Sequence, residues 1–322
     1  MNTSQTKNPA PKGGHIDIET RGPVLVARID GGPHALFDAA LVGQLKALVD
    51  RADKDPNIHA VVFTGTHPER FLSHSDVEWL QQGGVGFPSI NTTIAGIVTR
   101  MARTLNNVPV IRSLERLTRL KPLLDLDQFH ATFLKMNASG VVFVAALNGT
   151  ALAVGAEFAM ACDVRIMADG DYVMGLSEVL LALTPGGGGS QRLPRLIGNQ
   201  RSLLTILEGK PFTPAEALAL GAVDEVVPKD QVLPRAIERA EYLSLRAKKS
   251  IGAIKRSIYF GTTLSLEDGL QLEHAEFLVR DQDREAQRRM LAYIAETNAT
   301  GELPLMNRAT YAHALKVGGI SL

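Results

Sequence analysis

Two glutamates stand alone in long apolar stretches, and their isolation is the first pointer to chemistry. In residues 141–162 (VVFVAALNGTALAVGAEFAMAC) the only acidic or basic side chain is Glu157, and in 172–191 (YVMGLSEVLLALTPGGGGSQ) it is Glu178. Both windows read as buried. An unpaired buried carboxylate is costly, so its pKa rises toward neutrality, where a carboxyl can donate and accept protons. The structural alternative is that each glutamate pairs with an arginine or caps backbone amides, since such pairs also perturb pKa. Backbone donors add a second capability. Ala153-Val154-Gly155-Ala156 opens a helix whose first amides lack intrahelical partners, and Ser73-His74-Ser75-Asp76 forms another strand-to-helix junction. Two such junctions facing one cavity would make an oxyanion hole for an enolate.

The elements that must carry these residues follow from periodicity. Short strands are expected at 16–20 and 24–30, joined at Arg21-Gly22-Pro23. Asp38 is a good N-cap, with Phe37 and Val42 spaced as a hydrophobic staple. Apolar residues at 41, 42, 45, 48, 49 and 52 then mark one helical face. Buried strands are predicted at 60–64, 141–146 and 164–168, with shorter ones at 71–73 and within the DEVVP segment. Helices are predicted near 92–105, 122–136 and 155–162, and almost throughout beyond 231. Repeated strand–helix alternation ahead of a helical tail is an α/β pattern with a helical C-terminal region. Residues 1–14 read as a disordered tail, 15–230 as the core domain and 231–322 as the helical region.

Composition narrows the function. The 322 residues carry 34 Lys+Arg against 34 Asp+Glu, which argues against a phosphate-neutralising nucleic-acid surface. No apolar run is long enough for a membrane span, and the polar N-terminus lacks a signal-peptide core. A single cysteine, Cys162, excludes an intramolecular disulfide and a cysteine-based zinc site; it is read as core packing, compatible with a reducing cytoplasm. The histidines show no ligand spacing, so no metal is expected. PGGGGS at 185–190 lacks a P-loop lysine and reads as a turn that admits close backbone packing rather than a phosphate cradle.

Several blocks together resemble the enoyl-CoA hydratase/isomerase (crotonase) superfamily: NGTALAVGAEFAMACDVRIMA, LSEVLLALTPGGGGSQRLPRLIG, EGKPFTPAEALALGAVDEVVP and, more weakly, FLSHSDVEWL. The resemblance covers roughly residues 15–80 and 140–290. It implies a crotonase-like spiral of ββα repeats with a helical C-terminal trimerisation region, assembling as a homotrimer or homohexamer. It also implies an acyl-CoA substrate whose thioester oxygen is held by the amides of Ser75 and Val154, with Ser73 and His34 as further substrate-binding positions. Coenzyme A enters only as part of the substrate, and no separate cofactor is implied. Glu157 and Glu178 fall on the two glutamates with which hydratases act on water. Glu178 would deliver a proton to the α-carbon, and Glu157 would orient and deprotonate the attacking water. The implied activity is hydration of a 2-enoyl-CoA in cytoplasmic fatty acid metabolism. A double-bond isomerase and a catalytically weak acyl-CoA-binding protein are the alternatives.

The chain departs from the family pattern in places. Val154 replaces a glycine, which an amide donor tolerates if its φ is negative. His74 replaces another and is read as a surface residue. Glu78 stands where a lysine often faces the CoA phosphates, and basic residues are sparse around Ala292–Glu296. Residues 81–139 form a long insertion over the acyl pocket, so acyl specificity is the property that transfers least.

Overall fold

A computed structural model describes residues 13–85, 89–106 and 121–320; most of the expected tail, part of the 81–139 insertion, and the Gly86 and Pro88 of its opening loop lie outside the described residues. β1 (His15–Arg21) and β2 (Val24–Asp30) form an antiparallel hairpin. β3 (Ala60–Gly65), β5 (Val142–Leu147), β7 (Val164–Ala168) and β9 (Glu225–Val227) extend the sheet in parallel, giving the order β1-β2-β3-β5-β7-β9. A second, parallel sheet of three short strands, β4 (Arg70–Leu72), β6 (Thr150–Leu152) and β8 (Met174–Gly175), runs in the order β4-β6-β8. The chain therefore repeats one move. It passes through a strand of the large sheet, then one of the small sheet, then a helical segment at the small sheet's end. This is the expected spiral of ββα units.

Alternation along the large sheet creates two cores. Leu25, Ala27, Val61, Phe63, Phe143 and Ala145 face one side, and Val24, Val26, Ala60, Val62, Val142 and Val144 the other. The first side is covered by α1 (Ala39–Lys54), α4 (Lys121–Ala138) and α5 (Val154–Ala161). On α1 the buried residues are Leu41, Val42, Leu45, Leu48, Val49 and Ala52, the six positions its period predicts, and Asp38 accepts the Leu41 amide as the cap. The second side is covered by α9 (Val232–Ser244) through Val232, Ala236, Ile237 and Ala240, so the helical region begins with a helix built into the core.

The remaining helices are α2 (Val77–Gly84), α3 (Thr92–Asn106), α6 (Gly189–Ile197), α7 (Asn199–Glu208), α8 (Pro214–Leu220), α10 (Lys248–Tyr259), α11 (Leu266–Asp281), α12 (Arg284–Thr300) and α13 (Arg308–Val317). Their burial differs sharply along the tail. α11 and α13 bury no residue and α12 buries only Ala292, although Leu266, Phe277, Val279, Leu291 and Ile294 are apolar and exposed. No helix among the described residues is long and apolar enough to cross a membrane.

Candidate active site

The small sheet brings the two predicted junctions together. β4 ends at Leu72 and β6 at Leu152, and these strands are paired; Leu152 N–H also donates to Ser73 O at 3.0 Å. Gly155 makes that approach possible, because a Cβ there would overlap the Leu72 carbonyl. Past the strand ends, a cavity of about 510 Å³ is lined by His74, Ser75, Ala153, Val154, Glu157 and Glu178 on its polar side.

Each junction orients one amide. The carbonyl of His74 accepts from Phe37 N–H at 2.9 Å, and Asp76 N–H donates to Phe37 O at 3.0 Å. These bonds fix the peptide that carries the Ser75 N–H, and no described group accepts that amide. Asp76 caps α2 by accepting from Glu78 and Trp79 N–H, as its position in the sequence suggests. At the second junction the Ala153 carbonyl accepts from Glu157 N–H at 2.9 Å, while Ala153 N–H donates to Gly175 O at 2.8 Å. The Val154 N–H, at the first position of α5, likewise has no described acceptor. The positive-φ backbone falls at Ala153, one residue before the position where the family pattern has glycine. Ala153, at φ 49 and ψ −120, carries the strained backbone, whereas Val154 has no positive φ.

The two carboxylates are held differently. Glu157 is almost completely buried, and its Oε1 accepts from Gly187 and Gly189 N–H, both at 2.8 Å. The glycine turn at 185–190 thus wraps a carboxylate. A Cβ on Gly187 would overlap Glu157 Oε2 and the Phe129 ring. Burial pushes the Glu157 carboxyl up to about 7; the two amides and the Arg192 guanidinium oppose that rise, and the neighbouring Glu178 adds to it. Glu178 opens a 3-10 turn (Glu178–Leu181), and its buried Oε2 has no hydrogen-bond partner among the described groups. Burial raises its pKa too, against bonds from its own amide and that of Ser177. Both expectations for an isolated glutamate are therefore met at Glu157, which is perturbed and also backbone-bonded.

Of the predicted site residues, Glu157, Glu178, Ser75 and Val154 line one cavity. Ser73 and His34 do not. Ser73 Oγ donates to the His34 carbonyl at 2.6 Å, and Arg70 donates to the same oxygen, so this pair braces the end of β4 instead of forming the wall. His74, read as a surface residue, does line the cavity, with its Nδ1 2.7 Å from Ser75 O. The apolar wall escaped sequence reasoning. It comes from Phe37 and Val42 at the start of α1, Val77 and Leu80 on α2, Leu126 and Phe129 on α4, and the exposed Leu180, Leu181 and Leu183. The amphipathic period of 122–136 was the available signal for the α4 contribution. No group of residues among those described is arranged to hold a metal ion. Cys162 is buried, and burial pushes its thiol well above the ordinary range.

The cavity gathers two carboxyls whose pKa values burial raises, two amides with no acceptor among the described residues, and an apolar chamber. Residues 125–300, more than half of the chain, match the family model described as enoyl-CoA hydratase/isomerase. The alpha subunit of the fatty acid oxidation complex from Shewanella loihica is 46% identical over 123 residues, 38% of this chain and 17% of that protein. Its counterpart from Shewanella sp. strain MR-4 is 41% identical over 133 residues, 41% of this chain and 18% of that one. The match thus spans under a fifth of those curated relatives. Among solved structures, an enoyl-CoA hydratase from Bacillus anthracis superposes with a TM-score of 0.67 at 24% identity, covering 87% of this chain and 96% of that one. DspI from Pseudomonas aeruginosa gives 0.68 at 23% identity, covering 90% and 98%. These two share the fold. On the family match together with that shared spiral, the chain belongs to the enoyl-CoA hydratase/isomerase family.

Proposed function

We propose that the protein hydrates a 2-enoyl-CoA thioester to a 3-hydroxyacyl-CoA. The observation that supports this most is the meeting of Glu157 and Glu178 at one cavity that also contains the amides of Ser75 and Val154, which have no acceptor among the described residues. The Glu157 carboxylate takes a proton from water as the water oxygen bonds to the β-carbon. The double-bond electrons move toward the thioester, whose oxygen gains charge and is held by the two amides. Glu178, protonated, gives its proton to the α-carbon. The sum is one water added across the double bond, and a proton passing from Glu157 to Glu178 resets the pair. The division of roles follows from the surroundings. Two amides fix Oε1 of Glu157 and leave its Oε2 as the oxygen for water, while the partnerless, buried Oε2 of Glu178 favours a protonated acid.

The thioester brings its own coenzyme A, so no further cofactor is required. The apolar, exposed faces of α11 and α12 fit a homotrimer or homohexamer. A cytoplasmic location fits the soluble acyl-CoA substrate and the single thiol. Turnover of crotonyl-CoA to 3-hydroxybutyryl-CoA tests the reading. Isomerisation of a 3-enoyl-CoA without hydration would identify an isomerase, and binding with neither reaction a non-catalytic acyl-CoA protein.

A further inference from the structure

We propose that His130 is a positioning residue that pins the glycine turn and thereby aims Glu157 at the substrate; this rests on the hydration reading above. His130 lies on α4, and its Nε2 is 2.6 Å from the carbonyl oxygen of Gly186. A carbonyl only accepts, so Nε2 carries the hydrogen, which holds for one neutral tautomer and for the imidazolium alike.

The Gly186 carbonyl and the Gly187 N–H belong to one peptide unit. In a trans peptide these groups point in opposite directions across a rigid plane. His130 therefore holds one edge of the plane while the other edge donates to Glu157 Oε1 at 2.8 Å. Drawing hydrogen-bond density from the carbonyl also strengthens the donor on the far side. The next residue but one, Gly189, donates to the same Oε1 at 2.8 Å. With Oε1 taking both amides, Oε2 is left as the oxygen for water. Phe129, adjacent to His130, packs against the face of Gly187 and leaves no room for a side chain there. α4 thus sets the turn's position twice, once by a polar pin and once by a ring.

His130→Ala and His130→Gln, made in the full chain, test this by three readouts: hydrogen exchange of the segment 183–192, the separate kcat and KM for a 2-enoyl-CoA, and the pH profile of kcat. The alanine variant should exchange faster in that segment and lose about tenfold in kcat, with KM within twofold, because only the base is misplaced. Its acid limb should move to higher pH, since weaker amide bonds favour protonated Glu157. The other charged groups facing Glu157, Glu178 and Arg192, are unchanged in both variants. The glutamine variant, whose side-chain amide can donate, should restore all three. Wild-type exchange and kcat in His130→Ala would overturn the pin, as would a folded glutamine variant that restores nothing. Absent wild-type turnover would instead overturn the hydration reading, and the exchange contrast would still decide for or against the pin.

Discussion

Glu157 and Glu178 are the same residue type in the same cavity, yet the chain treats them oppositely. Glu157 sits in the first turn of α5, enclosed by the glycine turn, with both amide donors on one oxygen. Glu178 sits on a short 3-10 turn beside exposed leucines, with one oxygen buried and partnerless. Burial alone raises both pKa values and makes neither an acid nor a base in particular. Hydrogen bonding is where the two differ, and the roles proposed for them rest on that difference. Two fixed amides oppose the rise at Glu157, whose burial still lifts it to about 7, and Glu178 is raised by burial with one oxygen left partnerless.

The largest break in this comparison is Glu178→Gln, which preserves size but removes the donated proton. It should lower kcat by about 10²–10⁴ while leaving thioester binding nearly intact. A variant within threefold of wild type would remove Glu178 from the chemistry. Next comes the oxyanion donor beside Glu157. Val154→Pro deletes the amide and should cost about 10²–10³ in kcat, with circular dichroism checking that the helix start survives. Val154→Gly keeps the amide and should keep activity. Normal turnover by a folded proline variant would place the thioester oxygen elsewhere.

A smaller effect sharpens the comparison without substrate. The Glu157 carboxyl is raised from 4.5 to about 7 in the folded protein. A raised pKa means the fold favours the protonated form, so this group's contribution is full below pH 4.5 and is lost as pH rises to about 7. Wild-type stability should fall by about 2–3 kcal/mol over that window from this group alone. Glu157→Gln should flatten the fall in urea denaturation at pH 5 and pH 8. An unchanged pH dependence would mean that Glu157 is not perturbed. Smallest is Ala153→Gly, which relieves the φ of 49 and should stabilise the protein by about 1 kcal/mol. Destabilisation there would mean that the alanine is not strained.

The strands of the large sheet and α1 were legible in the sequence because burial leaves a period behind. The six buried positions of α1, and the Asp38 cap, could be read one by one. β6 and β8 span only three and two residues, too short to show alternation, and they were missed. They are nevertheless the strands that deliver Val154 and Glu178 to the cavity. The glutamates announced themselves through isolation, but their opposite environments did not. The donors to Glu157 are backbone amides 30 and 32 residues away, and amides have no sequence signature. The resemblance places Ser73 and His34 among the substrate-binding positions, and in the fold Ser73 bonds the His34 carbonyl at the end of β4.

The most direct test of the division between the two glutamates follows atoms. Wild-type protein and Glu157→Gln are given a 2-enoyl-CoA in deuterated water enriched in ¹⁸O, and the product is read by mass spectrometry. The account predicts one ¹⁸O at the β-carbon and one deuterium at the α-carbon for wild type, with ¹⁸O incorporation in Glu157→Gln reduced at least a hundredfold. A wild-type product with a shifted double bond and no ¹⁸O would contradict it. So would a Glu157→Gln variant that inserts ¹⁸O at the wild-type rate.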